Sequence, residues 1–177
     1  MPLTPQELLA MLERLGIKTS THEHEAVFTV EQSRHVHEMV PGAHTKNLFV
    51  KDKKDNYFLI IAESSAQIAM NRIHGLIGAK SRLSFANAER LMDFLGVSPG
   101  SVTAFAPVND AGRRVSVIID EPLLENDNIN CHPLTNTMTT TISRTDLLRF
   151  LDHVGHPPVI ARLSGEPDDG TASQSTE

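Results

Sequence analysis

Asn47-Leu-Phe-Val-Lys51 and Tyr57-Phe-Leu-Ile-Ile-Ala62 are two apolar runs rich in β-branched and aromatic residues, with Lys53-Lys-Asp-Asn56 between them. Runs of this length bounded by turn residues read as strands, and so short a connection joins antiparallel neighbours. This hairpin decides the fold class. A doubly wound sheet needs a helix between successive strands, and here none fits.

Towards the N-terminus, Thr4-Pro-Gln-Glu7 is a capping box with Pro at the first helical position. Leu8, Met11, Leu12 and Leu15 then form one apolar stripe, and Gly16 ends it. A strand over 17–24 follows. Thr29-Val-Glu-Gln32 is a second capping box and predicts a short helix near 30–37.

Towards the C-terminus, Ser64 and Ser65 open a predicted third helix with Ile68, Ile73, Leu76 and Ile77 on its buried side. Residues 87–95 predict a fourth, closed by Gly96. Val102–Ala106 and Val115–Asp120 predict a second hairpin. Ile129–Cys131 and the Thr-rich 137–142 are strands, since β-branching disfavours the helix. Ser143 caps a last helix bearing Leu147, Leu148, Leu151 and Val154, and 158–163 is a final strand. The expected fold is a single α/β domain of the α+β type over residues 1–163. It has a mixed, mostly antiparallel sheet with packed helices, followed by a polar disordered tail over 164–177.

The chain has 177 residues and a net charge of -6. The tail carries Glu166, Asp168, Asp169 and Glu177 and no base, so the body stands at only -2. That near-neutrality argues against a non-specific nucleic-acid coat protein without excluding a local basic patch. No apolar run reaches the ~18 to 20 residues of a membrane span. The first sixteen residues lack the features of a secretory signal. The single cysteine, Cys131, excludes an intramolecular disulfide and a Cys-x-x-Cys zinc site. A cytoplasmic protein is expected.

Nine histidines stand out. His22-Glu-His24 and His35-Val-His37 are His-x-His pairs with His44 close by, and on a strand such pairs share a face and can chelate zinc. No His-Glu-x-x-His motif supports this, so they read as surface histidines and no metal or other cofactor is expected. There is no nucleophile elbow and no phosphate-binding glycine loop. Cys131 reads as a small buried hydrophobe. Two stretches carry more polar groups than packing needs. One is His44-Thr-Lys-Asn47, where a Lys at the mouth of a strand can anchor a carbonyl or phosphate. The other is Asn130-Cys-His-Pro133 with the threonines after it, where Pro fixes the backbone beside His and hydroxyls.

These stretches carry a resemblance. THEHEAVFTVEQS (21–33), TKNLFVKD (45–52) and NCHPLTNTMTTTIS (130–143) together resemble the prolyl-tRNA synthetase-associated editing domain family, also called YbaK-like. Within it the match is closest to free-standing deacylases that clear alanine from mischarged tRNA(Pro). It spans roughly residues 3–163. The resemblance implies one α/β domain with no metal and no covalent nucleophile, hydrolysing an aminoacyl ester. It implies Lys46 as the catalytic group, with Phe28, Asn47, His132 and Pro133 at the amino-acid pocket. Relatives often carry a glycine a few residues before this proline; Asn128-Ile-Asn-Cys-His-Pro133 lacks one, which suits the alanine-selective branch. Partners implied are the tRNA(Pro) acceptor end and prolyl-tRNA synthetase, with no membrane and no DNA. Lys51, Lys80 and Arg82, among several cations, are candidate tRNA-backbone contacts. Deacylation of Ser- or Cys-charged tRNA, a non-catalytic binding module and a His-rich metal protein are the alternatives.

Overall fold

The computed structural model describes residues 1–27 and 29–165. Four helices and eight strands are present: α1 (Pro5–Arg14), β1 (Ser20–Glu23), α2 (Val30–Met39), β2 (Ala43–Lys51), β3 (Tyr57–Glu63), β4 (Ser84–Phe85), α3 (Ala88–Leu95), β5 (Val115–Asp120), β6 (Asn128–Cys131), β7 (Met138–Ser143), α4 (Arg144–His153) and β8 (Val159–Ala161). Both capping boxes form. The Thr4 and Thr29 hydroxyls accept from Glu7 and Gln32 N–H, while those side chains reach back to the cap N–H. Ser143 and Asn87 cap α4 and α3, and Gly96 ends α3 at φ 67°.

The strands lie in the order β1-β7-β6-β2-β3-β5-β8, with β4 on β2 as a side branch. The expected hairpin pairs β2 with β3 from Thr45↔Glu63 to Lys51↔Tyr57. Parallel neighbours β2/β6, β3/β5 and β5/β8 make the sheet mixed. Strand β2 is the spine. It meets β6 only at Ala43 and His44, then diverges from it and continues along β3.

Alternation gives the sheet two unlike faces. Ala43, Phe49, Ile129, Cys131 and Ile142 join a core with Leu8, Leu12, Leu95, Phe105, Leu147 and Phe150. On the other face, the β2–β3–β5 half buries Val50, Phe58, Ile60 and Ile118 beneath Ile73 and Ile77. The β1–β7–β6–β2 half of that same face is polar, presenting His22, Thr139, Thr141, Asn130 and His44 at paired register positions.

Two predicted elements do not form. Residues 64–80 are turns and one 3-10 turn, Ile73–Leu76, rather than a helix. The apolar spacing is real, since Ile73 and Ile77 are buried, but Leu76 is exposed and Gly78 takes φ 81°. Val102–Ala106 is not a strand, so the second hairpin is absent. Ala104, Phe105 and Ala106 are fully buried where a loop enters the 3-10 turn Ala106–Asn109, and β5 pairs with β3 in parallel instead. The described residues include the first two of the expected tail, 164 and 165. Ser164 N–H donates to Asp120 and Gly165 N–H to Gln67, while the rest of the expected tail, 166–177, lies outside the described residues.

Candidate active site

Where β2 leaves β6, a cleft of about 590 Å³ opens. Separating strands leave edge groups unpaired, so this is where a ligand finds backbone and side-chain partners together. His44, Thr45 and Lys46 of β2 form one wall. Asn130, Cys131 and His132 of β6 form a second, with Thr139 of β7 behind them. Ser33, Arg34, Val36 and His37 of α2 form a third, and Ser64 and Ser65 close the end beyond β3.

Lys46 shares the face of His44 and donates from Nζ to the Ala66 carbonyl. That bond fixes its cation beside the two serines. The chain at Ser64 is itself tied to β2, since Ser64 N–H donates to His44 O at 2.7 Å.

His132 sits just past the end of β6. Its backbone carbonyl accepts both the Thr103 hydroxyl and Leu134 N–H, the latter at 3.0 Å across Pro133. Leu134 takes φ 65°, an uncommon conformation for a bulky residue, and the tight turn it completes holds His132 at the cleft. The ring Nδ1 lies 3.2 Å from Met138 O and donates to it in the neutral tautomer, leaving the Nε2 lone pair free to accept. Burial pushes the His132 pKa down, and neighbouring His24 and His44 add to this against the opposing Met138 bond. His37 and His44 are shifted down as well, burial being the largest cause for both.

Asn130 holds the junction together. Its Nδ2 donates to Pro41 O at 3.0 Å, its Oδ1 accepts the Thr141 hydroxyl, and the Thr45 hydroxyl donates to its backbone O at 2.8 Å. Gly42 is needed beside it, since it takes φ 113° and a Cβ there would meet Asn130 Nδ2 at 2.9 Å. Burial drives the Cys131 thiol up to about 12, so it stays protonated and is no nucleophile at neutral pH.

None of the cleft's described lining residues carries a carboxylate. It offers two cations, neutral imidazoles and hydroxyls, a lining that suits an anionic ligand and lacks the acid of a catalytic triad. Among the described residues no three His, Cys, Asp or Glu side chains gather as a metal site. His22 lies on β1, while His35 and His37 lie on α2, where residues two apart do not face each other. His24 is tied to Glu25 O and to the Thr139 hydroxyl, each at 2.8 Å.

The chain is similar to known proteins in sequence and fold. Residues 24–150 match the family described as the aminoacyl-tRNA editing domain. The chain belongs to that family. The editing domain is 39% identical to prolyl-tRNA synthetase associated domain-containing protein 1 of Danio rerio, over 88% of this chain and 85% of that one. It is 30% identical to the prolyl-tRNA editing protein ProX of Acetoanaerobium sticklandii, over 85% and 92%. A crystal structure of a candidate trans-editing enzyme for prolyl tRNA synthetase shares the fold, at a TM-score of 0.69 and 19% identity, covering 93% of this chain and 99% of that one. No described helix of the editing domain is long and apolar enough to cross a membrane.

Of the expected site residues, Lys46 and His132 meet at the cleft. Asn47, expected as a substrate contact, is not among the cleft's lining residues; it faces the opposite side of β2 from Lys46, and its Oδ1 is buried with no hydrogen-bond partner among the described residues. Pro133 is buried beside His132 in the chain and is not among the cleft's lining residues. Phe28 lies outside the described residues. Lys51, Lys80 and Arg82 stand at the far end of β2, by the hairpin turn. Arg34, Ser64 and Ser65 carry no motif of their own, and His37 joins the cleft from a His-x-His pair rather than as a metal ligand. From the sequence the serines read as a helix start, and only their position after an apolar strand hints at a strand-end site.

Proposed function

We propose that this editing domain hydrolyses the aminoacyl ester of mischarged tRNA(Pro) in trans, with alanine the amino acid removed. The observation that carries this reading is the pairing of Lys46 with a neutral His132 across a cleft that holds no carboxylate. The names borne by the relatives support it.

An aminoacyl ester is already activated. Water adds to the carbonyl carbon, the bond to the ribose oxygen breaks, and that oxygen leaves with a proton. The protein need only orient the ester and stabilise the tetrahedral oxyanion. Lys46 supplies fixed positive charge to that oxyanion or to the terminal phosphate, and a tRNA ribose hydroxyl activates the water. His132 Nε2 accepts from the substrate ammonium, which holds the amino acid against the turn built by Pro133. Phe28 belongs to the wall that limits side-chain size. Exclusion of larger side chains is steric, whereas a single methyl is worth only ~1–3 kcal/mol against glycine. Lys51, Lys80 and Arg82 contact the acceptor-stem backbone, prolyl-tRNA synthetase is the partner that hands over the substrate, and the protein works in the cytoplasm.

Serine is the second reading, because the hydroxyls of Thr45, Thr139, Ser64 and Ser65 around the cleft could satisfy a seryl side chain. Deacylation rates on Ala-, Ser- and Cys-tRNA(Pro) beside Ala-tRNA(Ala) test both. The proposal expects Ala-tRNA(Pro) to be the fastest substrate, and no turnover of any of the four would sink it.

A further inference from the structure

We propose that Phe85 is a stacking platform for an unpaired base near the acceptor end of the tRNA, flanked by cations that take the adjoining phosphates. The proposal rests on the tRNA-editing reading above.

Phe85 is 64% exposed, yet its backbone is not loose. It pairs with Val50 across β2/β4, and Ala86 N–H donates to Phe49 O at 3.0 Å. Leu83, two residues earlier on the same face, packs on the core around Val50, so the Phe85 ring lies beyond the rim of that core. Exposure of one apolar side chain is ordinary; what marks Phe85 is a ring on a fixed backbone beside clustered charge.

What surrounds the ring indicates the partner. Lys51, Lys53, Lys54, Lys80 and Arg82 belong to the hairpin turn and the segment leading into β4. The carboxylates of those two segments are Asp52 and Asp55. Asp55 lies on Lys51 at 3.0 Å. Asp52 is buried and is occupied by N–H groups of Lys54, Asn56 and Lys80 at 2.8–3.0 Å. It therefore clamps the two loops together without neutralising their side chains. Lys53 N–H reinforces the clamp by donating to Ser81 Oγ at 2.7 Å. Lys53, Lys54, Lys80 and Arg82 have no carboxylate partner among the described residues. An isolated exposed aromatic beside uncommitted cations is the pattern that binds single-stranded nucleic acid.

Geometry links the platform to the cleft. Val50 is four residues along β2 from Lys46 and on the same face, and its partner Phe85 shares that face. At ~3.3 Å per residue the two sites lie roughly 13 Å apart along the strand. A short single-stranded 3′ end, with its terminal ester at Lys46, spans such a gap.

The test is binding of uncharged tRNA(Pro) by fluorescence anisotropy at several salt concentrations, alongside deacylation of Ala-tRNA(Pro). Phe85→Ala should weaken binding by on the order of tenfold, the scale of one lost base stack, with Phe85→Tyr close to wild type. The salt slope should not change for either, since the ring carries no charge, whereas Lys80→Ala should reduce it by ~0.7–0.9. Ile160→Ala, an exposed apolar residue on the far edge strand β8, should bind as wild type does. Unchanged tRNA affinity in Phe85→Ala overturns the platform, as does unchanged affinity accompanied by loss of synthetase capture, which would assign the ring to a protein partner. A wild-type protein that deacylates nothing but binds tRNA through Phe85 would sink the editing reading alone.

Discussion

The imidazoles of His37 and His44 are stacked, with ring centroids 4.0 Å apart and planes at 22°. One comes from α2 and the other from β2, so the pair joins the helix that walls the cleft to the polar half of the sheet. His44 Nε2 donates to Val40 O at 2.7 Å, which fixes that ring just past the end of the helix. Two stacked imidazoles tolerate one another when neutral and repel when protonated.

That relationship predicts a pH dependence. Burial first, and neighbouring histidines next, lower the pKa of His37 below 6.5; burial likewise dominates for His44. The unfolded chain then takes up protons first as pH falls. The stability contributed by these rings is fully present above ~6.5 and is lost on acidification towards their folded-state values. Melting temperature should decline between pH 7.5 and pH 5.5. A His37→Asn/His44→Asn double variant should show a shallower decline, and an equal slope would remove the stack as its cause. Deacylation should fall over the same range, because His132 loses its free Nε2 acceptor on protonation.

Lys46→Ala should cut deacylation by roughly 10²-fold or more, the scale of one preorganised electrostatic group. Circular dichroism and the melting curve should be near wild type, since Nζ reaches only the Ala66 carbonyl. Lys46→Arg should recover little, because a planar guanidinium does not fit the place of a compact ammonium. Near-normal turnover in Lys46→Ala would take the residue out of catalysis.

Local signals made much of this fold legible. Thr4 and Thr29 each announce a helix through a glutamate or glutamine three residues on, and Ser143 does so as a cap; each reads from a few adjacent residues. The failures were of two kinds. Ile68, Ile73 and Ile77 bury apolar side chains at helix-like spacing without forming a helix, and Ala104-Phe-Ala106 is a buried apolar run that periodicity cannot assign. The parallel contact of His44 with Asn130 joins segments 86 residues apart, and no local pattern encodes it. The cleft exists because of that contact, so Lys46 and His132 could be named singly while Arg34, Ser64 and Ser65 could not.

His132→Ala should change the ratio of rates on Ala- and Ser-tRNA(Pro). Removing the imidazole widens the cleft and deletes the Nε2 acceptor, which alters differential transition-state binding. A purely structural histidine would instead lower stability by ~0.5–3 kcal/mol and leave the ratio alone. The Thr103 hydroxyl bonds the His132 backbone carbonyl and survives the substitution, so the turn should persist. Both rates and the melting curve should be measured on one preparation; a constant ratio with a lower melting temperature assigns His132 to the scaffold.

A second buried histidine should behave in the opposite way. His156 is buried with Nε2 3.0 Å from the Asp110 carboxylate, and its Nδ1 faces Val154 O at 3.1 Å. The same carboxylate accepts Val115 N–H at 2.8 Å. The pair therefore ties the chain leaving α4 to the start of β5. Val115 is level with Tyr57, at the hairpin end of the sheet, whereas Lys46 is level with Ala62. Removing His156 deletes one hydrogen bond to a buried carboxylate that keeps Val115 N–H and, at 3.4 Å, Arg114 Nε, a loss of ~1–3 kcal/mol. At ~2–4 °C per kcal/mol for a chain of this size, His156→Ala should lower the melting temperature by about 5 °C. Turnover at a temperature where the variant is still folded should be unchanged. The His156→Ala/Asp110→Ala pair should cost less than the sum of the singles, because either single change already breaks the bond between them. Additive losses, or a drop in turnover without one in stability, would show that Asp110 and His156 do not act together as a structural tie.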